Sequence, residues 1–259
     1  MKILISCVAS ALALSAVSGA FAAEASKANV YRDFTDTVAP AEQDAYEAGV
    51  KAYNQCLHDH GFKYSWVAWN HETGNVYTYS YVAGPYTWAD FDTMHTQGKA
   101  CDATWRKQAN PHLKEEVSAF MVNHADMSHM PKDSDKQPPS ALIDVVYFHL
   151  KNGHDAHEAF ANAVKKIAAG ADKSNWSGNF STNEINYGAD GSPDYIVVLP
   201  NKDWADVGME ANPSLWKMME NVYGKTEAAA IRKSLNDAIE KTSSHIDSSN
   251  ADLTYTAPK

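Results

Sequence analysis

Residues 76–91 read VYTYSYVAGPYTWADF, and residues 194–207 read DYIVVLPNKDWADV. Each is a strand-like run that ends in Trp-Ala-Asp, in a chain with 7 tryptophans among 259 residues. Aligning the triplets gives an offset of 116, at which Tyr79 falls on Tyr195, Val82 on Val198 and Asn70 on Asn186. Toward the C-terminus the offset grows to 126, which matches Arg106-Lys107 with Arg232-Lys233 and Ala125-Asp126 with Ala251-Asp252. Toward the N-terminus it shrinks to 114, with Val50-Lys51 on Val164-Lys165 and Phe34 on Phe148. Loop insertions produce such a drift, so the chain reads as one unit written twice.

In the first copy, residues 29–38 are strand-like. Residues 41–60 have helical spacing, with Tyr46, Val50 and Tyr53 on one face and Gly61 as the stop. Residues 63–84 form an aromatic-rich hairpin around Glu72-Thr73-Gly74-Asn75, a helix starts at Thr87, and residues 117–122 are a last strand. The second copy repeats the order. A strand covers 142–150, a helix 154–170 and a hairpin 180–199; helical stretches include 226–242, and a closing strand covers 244–255. The order is β-α-β-β-α-β in both. Residues 130–140 lie between the copies and have a linker composition.

The Trp-Ala-Asp triplets read as helix starts and not as a catalytic box. Thr87 and Asp203 suit N-caps, and Asp90 and Asp206 follow three residues later, where the positive end of the helix dipole favours acids. Tyr86 can staple onto Phe91, and each tryptophan is expected to pack on the sheet edge.

Residues 1–22 read as a cleaved secretory signal: Lys2, an apolar run, then small residues up to Ala22. A periplasmic or secreted location is expected, with no membrane span. Removing the signal moves the formal charge from −10 to −11, with 21 basic against 32 acidic residues and no basic run. That argues against nucleic acid and anionic membrane surfaces as partners. Cys56 and Cys101 are the two cysteines left, and in an oxidising compartment they are expected to form a disulfide. The chain contains no nucleophile elbow, phosphate-binding loop, dinucleotide fingerprint or Cys-x-x-Cys.

Two β-α-β-β-α-β units in one chain resemble the dimeric α+β barrel superfamily, of ferredoxin-like topology. The resemblance covers about residues 27–255, with one ferredoxin-like repeat at 27–129 and another at 141–255. It implies an α+β fold in which two sheets form a pseudo-dimeric barrel with helices outside. A ligand would then sit between sheet and helices or inside the barrel, and a barrel closed within one chain would stay a monomer or weak oligomer.

In a ferredoxin-like sheet the first and fourth strands are antiparallel neighbours. His149 ends one and His245 begins the other in the second repeat, so the pair is expected to meet, with Asp247 pointing the same way as His245. These three are the candidate catalytic residues, since imidazoles near neutrality serve as acid–base groups. Trp66, Trp69, Tyr77, Tyr79 and Tyr81 are candidates to line an apolar ligand pocket. Weaker metal candidates are His58 with His60, His154 with His157, and His124 with Asp126 and His129; no metal is expected at any of them. The favoured function is an exported protein that binds a small apolar or aromatic molecule without a cofactor. The alternatives are a barrel oxidoreductase, cofactor-free or haem-dependent although no motif supports haem, and a non-catalytic interaction protein.

Overall fold

A computed structural model describes residues 27–258 apart from 133, 135 and 136. The expected signal segment and Cys7 lie outside the described residues. The first half runs β1 (Val30–Val38), α1 (Gln43–Asp59), β2 (Trp66–His71), β3 (Thr78–Tyr86), α2 (Trp88–Gly98), α3 (Asp102–Gln108) and β4 (Leu113–Asn123). The second runs β5 (Leu142–Leu150), α4 (His154–Ser174), β6 (Ser181–Tyr187), β7 (Tyr195–Asn201), α5 (Trp204–Val207), α6 (Leu215–Tyr223), α7 (Lys225–Ala238) and β8 (Ile239–Tyr255). The α+β class is the one expected from the sequence.

The eight strands close into one barrel in the order β1-β3-β2-β8-β5-β7-β6-β4, and every pairing is antiparallel. Two seams join the halves. At one, β2 pairs with β8, with His71 opposite Asp247. At the other, β4 pairs with β6, with Val122 opposite Glu184. Strand alternation then divides the side chains between two compartments. Tyr31, Asp33, Trp69, Val145 and Tyr147 point into the barrel, whereas Arg32, Phe34, Asp36, Trp66 and Tyr81 point out toward the helices.

The outer faces carry separate cores. In the second half α4, α6 and α7 fill the space over the sheet with Phe160, Ile167, Met218, Met219 and Ile231, all buried. In the first half α1 contributes Tyr46, Val50 and Leu57, but α2 and α3 are short and cover less of the sheet. The expected disulfide is present. Cys56, late in α1, bonds Cys101, just before α3, with an S–S length of 2.07 Å.

The helix starts at the two triplets form as expected. Thr87 Oγ1 accepts from the Asp90 N–H, and the Asp90 carboxylate accepts from the Thr87 N–H, which makes a capping box. Asp203 caps α5 through the Asp206 N–H. Tyr86 meets Phe91 edge-on, with centroids 6.2 Å apart. The tryptophans differ from expectation. Trp88 touches Phe120 and Tyr187 but is 42% exposed, and Trp204, on the single turn of α5, is 55% exposed. The helix expected to reach residue 242 stops at Ala238. Ile239 already pairs with Leu150, so strand pairing outweighs the helix propensity of Glu240 and Lys241. No helix among the described residues is long and apolar enough to cross a membrane.

Candidate functional site

The open space under α2 and α3 is a cavity of about 450 Å³. Its walls are aromatic: Phe34 of β1, Tyr53 of α1, Phe62, Trp66 of β2, Phe91 of α2 and Trp105 of α3. Tyr53 lies 5.2 Å from Trp105 and 6.3 Å from Trp66, ring centre to ring centre. β1 supplies polar groups to the same wall. The Arg32 guanidinium lies over Phe34 at 4.4 Å and over Phe120 at 4.5 Å, and one of its nitrogens donates to Ser118 Oγ at 3.3 Å. Asp36 accepts a 2.5 Å hydrogen bond from the Tyr46 hydroxyl, which also bonds the Tyr81 hydroxyl at 2.8 Å.

Three buried polar atoms on residues lining this cavity have no hydrogen-bond partner among the described residues: Arg32 Nε, Asp36 Oδ1 and Trp66 Nε1. Buried polar groups are normally paired. Burial pushes the Asp36 carboxyl up to about 7, against the opposing pull of the Tyr46 hydrogen bond, and the charges of Glu116 and Asp33 add to the rise. Burial lowers the Arg32 guanidinium, while Glu116 opposes it.

The second compartment is the barrel interior, with a cavity of about 200 Å³ lined by Asp33, Trp69, Met121, Tyr147 and Asp247 among others. At the β2–β8 seam the imidazoles of His71 and His245 stack, with centroids 4.1 Å apart and planes 23° from parallel. Asp247 lies beneath both. His245 Nε2 is 3.2 Å from Asp247 Oδ2 and 3.1 Å from Oδ1, and His71 Nε2 is 3.8 Å from Oδ1. The approach to Oδ1 lacks hydrogen-bond alignment, so that buried oxygen is left without a partner. His71 Nε2 also lies 3.2 Å from Ser80 Oγ. Burial lowers the His71 ring to about 4, with Asp247 opposing and His245 adding to the shift. Asp33, half-buried nearby, is pushed up to about 7 by burial, against the hydrogen bond from Thr35.

The structure brings His245 and Asp247 together but not His149 with His245. His149 pairs with Lys241, and His245 pairs with Val145. His149 is therefore four residues from the position opposite His245, about 13 Å along the strand. The expected meeting fails because the antiparallel register is offset from the one that strand ends suggest. His71 takes the place of His149. Alternation from Trp69 would have put His71 on the inner face, but its partner strand belongs to the other half, and nothing local in the sequence names that neighbour.

The five aromatic candidates also divide. Trp66 and Tyr81 line the outer cavity, and Trp69 lines the barrel. Tyr79 is buried in the α1 core, its hydroxyl donating to Glu47 and accepting from Gln43, and Tyr77 is 37% exposed at the strand start. The remaining histidines hold ion pairs or turns. His124 pairs with Glu184 at 2.7 Å, His129 with Asp172 at 2.5 Å, His157 with Asp194 at 3.4 Å and His154 with Glu158 at 3.7 Å. Asp126 pairs with Lys165 instead of joining His124 and His129. His58 approaches Asp59 at 3.9 Å, and His60 bonds the Cys56 carbonyl at 2.8 Å beside the disulfide.

No family model matches the chain, and no curated protein sequence does. Solved structures do. An anthrone oxidase-like protein aligns over 90% of this chain and 95% of its own, with a TM-score of 0.54 and 9% identity. A provisional monooxygenase from Lactobacillus acidophilus NCFM aligns over 88% of this chain and 95% of its own, at 0.52 and 9%. A mutant chlorite dismutase from Candidatus Nitrospira defluvii aligns over 86% and 92%, at 0.50 and 9%. The likeness is one of fold: a closed barrel of eight strands with helices outside.

Proposed function

We propose that this is an exported protein that holds a small aromatic molecule in the helix–sheet cavity of its first half. The chain is read as two fused ferredoxin-like units, 27–129 and 141–255, joined by 130–140. In that reading the second unit fills the equivalent space with side chains, and the first keeps it open. One observation carries the proposal: an aromatic-walled cavity of about 450 Å³ whose lining residues include three buried, unpartnered polar atoms. Aromatic walls favour a flat apolar body. Arg32 and Trp66 bring donors and Asp36 an acceptor to this wall, so a ring bearing a hydroxyl or carbonyl group matches the chemistry of the lining.

Titration with hydroxylated naphthalenes and anthracenes, followed by quenching of tryptophan fluorescence, tests the reading. Saturable quenching is expected, with Arg32→Met and Trp66→Phe each weakening it at least about tenfold and Tyr77→Phe leaving it unchanged. Quenching that does not saturate, or that ignores both cavity variants, overturns it. Export is tested separately by the mature N-terminus, expected at Ala23 or Glu24.

A second reading, cofactor-free oxidation of the same molecule, is favoured by Asp36. A carboxyl poised near neutrality against the cavity can accept a phenolic proton and leave the ring electron-rich toward oxygen. Oxygen uptake with a bound hydroxyanthracene, abolished in Asp36→Asn while binding persists, separates catalysis from binding. Haem fits the residues poorly. The imidazole lining the outer cavity, His95, is exposed on α2, and the barrel cavity of about 200 Å³ beside His71 and His245 is too small for a porphyrin.

A further inference from the structure

We propose that His71, His245 and Asp247 form a binding site for a divalent transition-metal ion of the zinc class, at the seam where the two halves of the barrel meet. The site is separate from the helix–sheet cavity and does not depend on a ligand there. One ligand atom from each of the three side chains lies within 4.8 Å of the others. A tetrahedral ion bound at about 2.0–2.1 Å holds its ligand atoms about 3.3 Å apart. The observed spacings of 3.1 Å from His245 Nε2 to Asp247 Oδ1 and 3.8 Å from His71 Nε2 to the same oxygen bracket that edge length. Both Nε2 atoms thus approach the same carboxylate oxygen, Asp247 Oδ1.

Two further observations point the same way. Asp247 Oδ1 is buried and has no hydrogen bond, as a carboxylate oxygen kept for an ion would be. Asp33 shares the barrel interior with Asp247. Two carboxyl groups in a mostly apolar barrel are costly without a cation, and among the described residues no lysine or arginine lines that cavity. Two imidazoles and one carboxylate suit zinc, cobalt or copper over magnesium or calcium, which prefer oxygen alone. The side chains of His71 and His245 each keep 11% exposure, so the group sits close to solvent near the β2–β3 turn.

The test uses untagged, metal-stripped full-length protein titrated with Co2+ and Zn2+. The expected result is one Co2+ per chain with the intense visible absorption of tetrahedral coordination, bleached by equimolar Zn2+ and unaffected by excess Mg2+. His71→Gln and His245→Gln should each weaken binding at least about tenfold, since even outer-sphere changes have effects of that size. If either variant fails to fold, protection answers instead. Zn2+ should shield His71 and His245 of the wild-type protein from diethyl pyrocarbonate, mapped by mass spectrometry, while the exposed His154 stays reactive. Absence of stoichiometric binding, binding unchanged in both folded variants, or no shielding of the pair overturns the proposal.

Discussion

Asp36 is 1% exposed, and one of its carboxylate oxygens has no partner. Burial raises its folded-state pKa to about 7, above the unfolded value of 3.8. The folded state therefore binds the extra proton between those values. Its contribution to stability is fully present below about pH 4 and is lost as the pH rises through 7. Glu116 and Asp33 add negative charge nearby, so ionisation is opposed from both neighbours. Asp36→Asn keeps the hydrogen bond from Tyr46 and cannot ionise. It should match the wild type near pH 4 and exceed it at pH 8, with about 4 kcal/mol as the ceiling. Thermal melts across that range read the difference, and a gap that does not change with pH refutes the account. His71 runs the other way. Its ring is lowered from 6.5 to about 4, so what it contributes is lost as the pH falls through that window.

The helices of the first half are held by two devices. The Cys56–Cys101 bridge spans a sequence separation of 45 residues between α1 and the start of α3. In the chain-entropy picture such a crosslink stabilises by about 3–4 kcal/mol, so the paired change of Cys56→Ala with Cys101→Ala should lower the denaturation free energy by that amount. Chemical denaturation with an unchanged midpoint would show that the bridge adds nothing. The second device is a missing side chain. A Cβ at Gly49 in α1 would lie 2.1 Å from the Gln108 carbonyl oxygen and 2.4 Å from its carbon, both rigid backbone. Gly49→Ala should force α1 and α3 apart and cost about 1–3 kcal/mol. Because α1 and α3 both wall the outer cavity, binding of an aromatic probe should weaken with it. A variant as stable as the wild type would mean that the two helices separate freely.

At the scale of the whole molecule, closure removes the sheet edges. Each half alone would expose two, β2 and β4 in the first and β6 and β8 in the second, and exposed edges invite pairing. The full chain should therefore run as a monomer in light scattering. Residues 27–129 made alone should associate in pairs through β2 and β4, or aggregate, and a stable monomeric half would contradict this. The sequence made much of this architecture legible, because the 116-residue offset between Trp88 and Trp204 and the alternation of Tyr77, Tyr79 and Tyr81 are local signals. Cys56 and Cys101 were legible by elimination. His71 was not, because it meets His245 through a seam in which His71 pairs with Asp247, 176 residues away on β8, and no local pattern encodes that register. The open cavity was equally hidden. It depends on α2 and α3 being short where α4, α6 and α7 are filled out, which is a matter of volume and not of periodicity.

β8 serves both halves. Residues 239–248 pair with β5, and residues 247–255 pair with β2. A ribosome releases this strand after every other element of the barrel, so the ring cannot be completed on a nascent chain that lacks residues 239–255. Until then β2 and β5 each have a neighbour on one side only, β3 and β7, and the stacked imidazoles do not exist. Closure of the ring and assembly of the His71–His245–Asp247 cluster are thus one event, which waits for β8 to emerge.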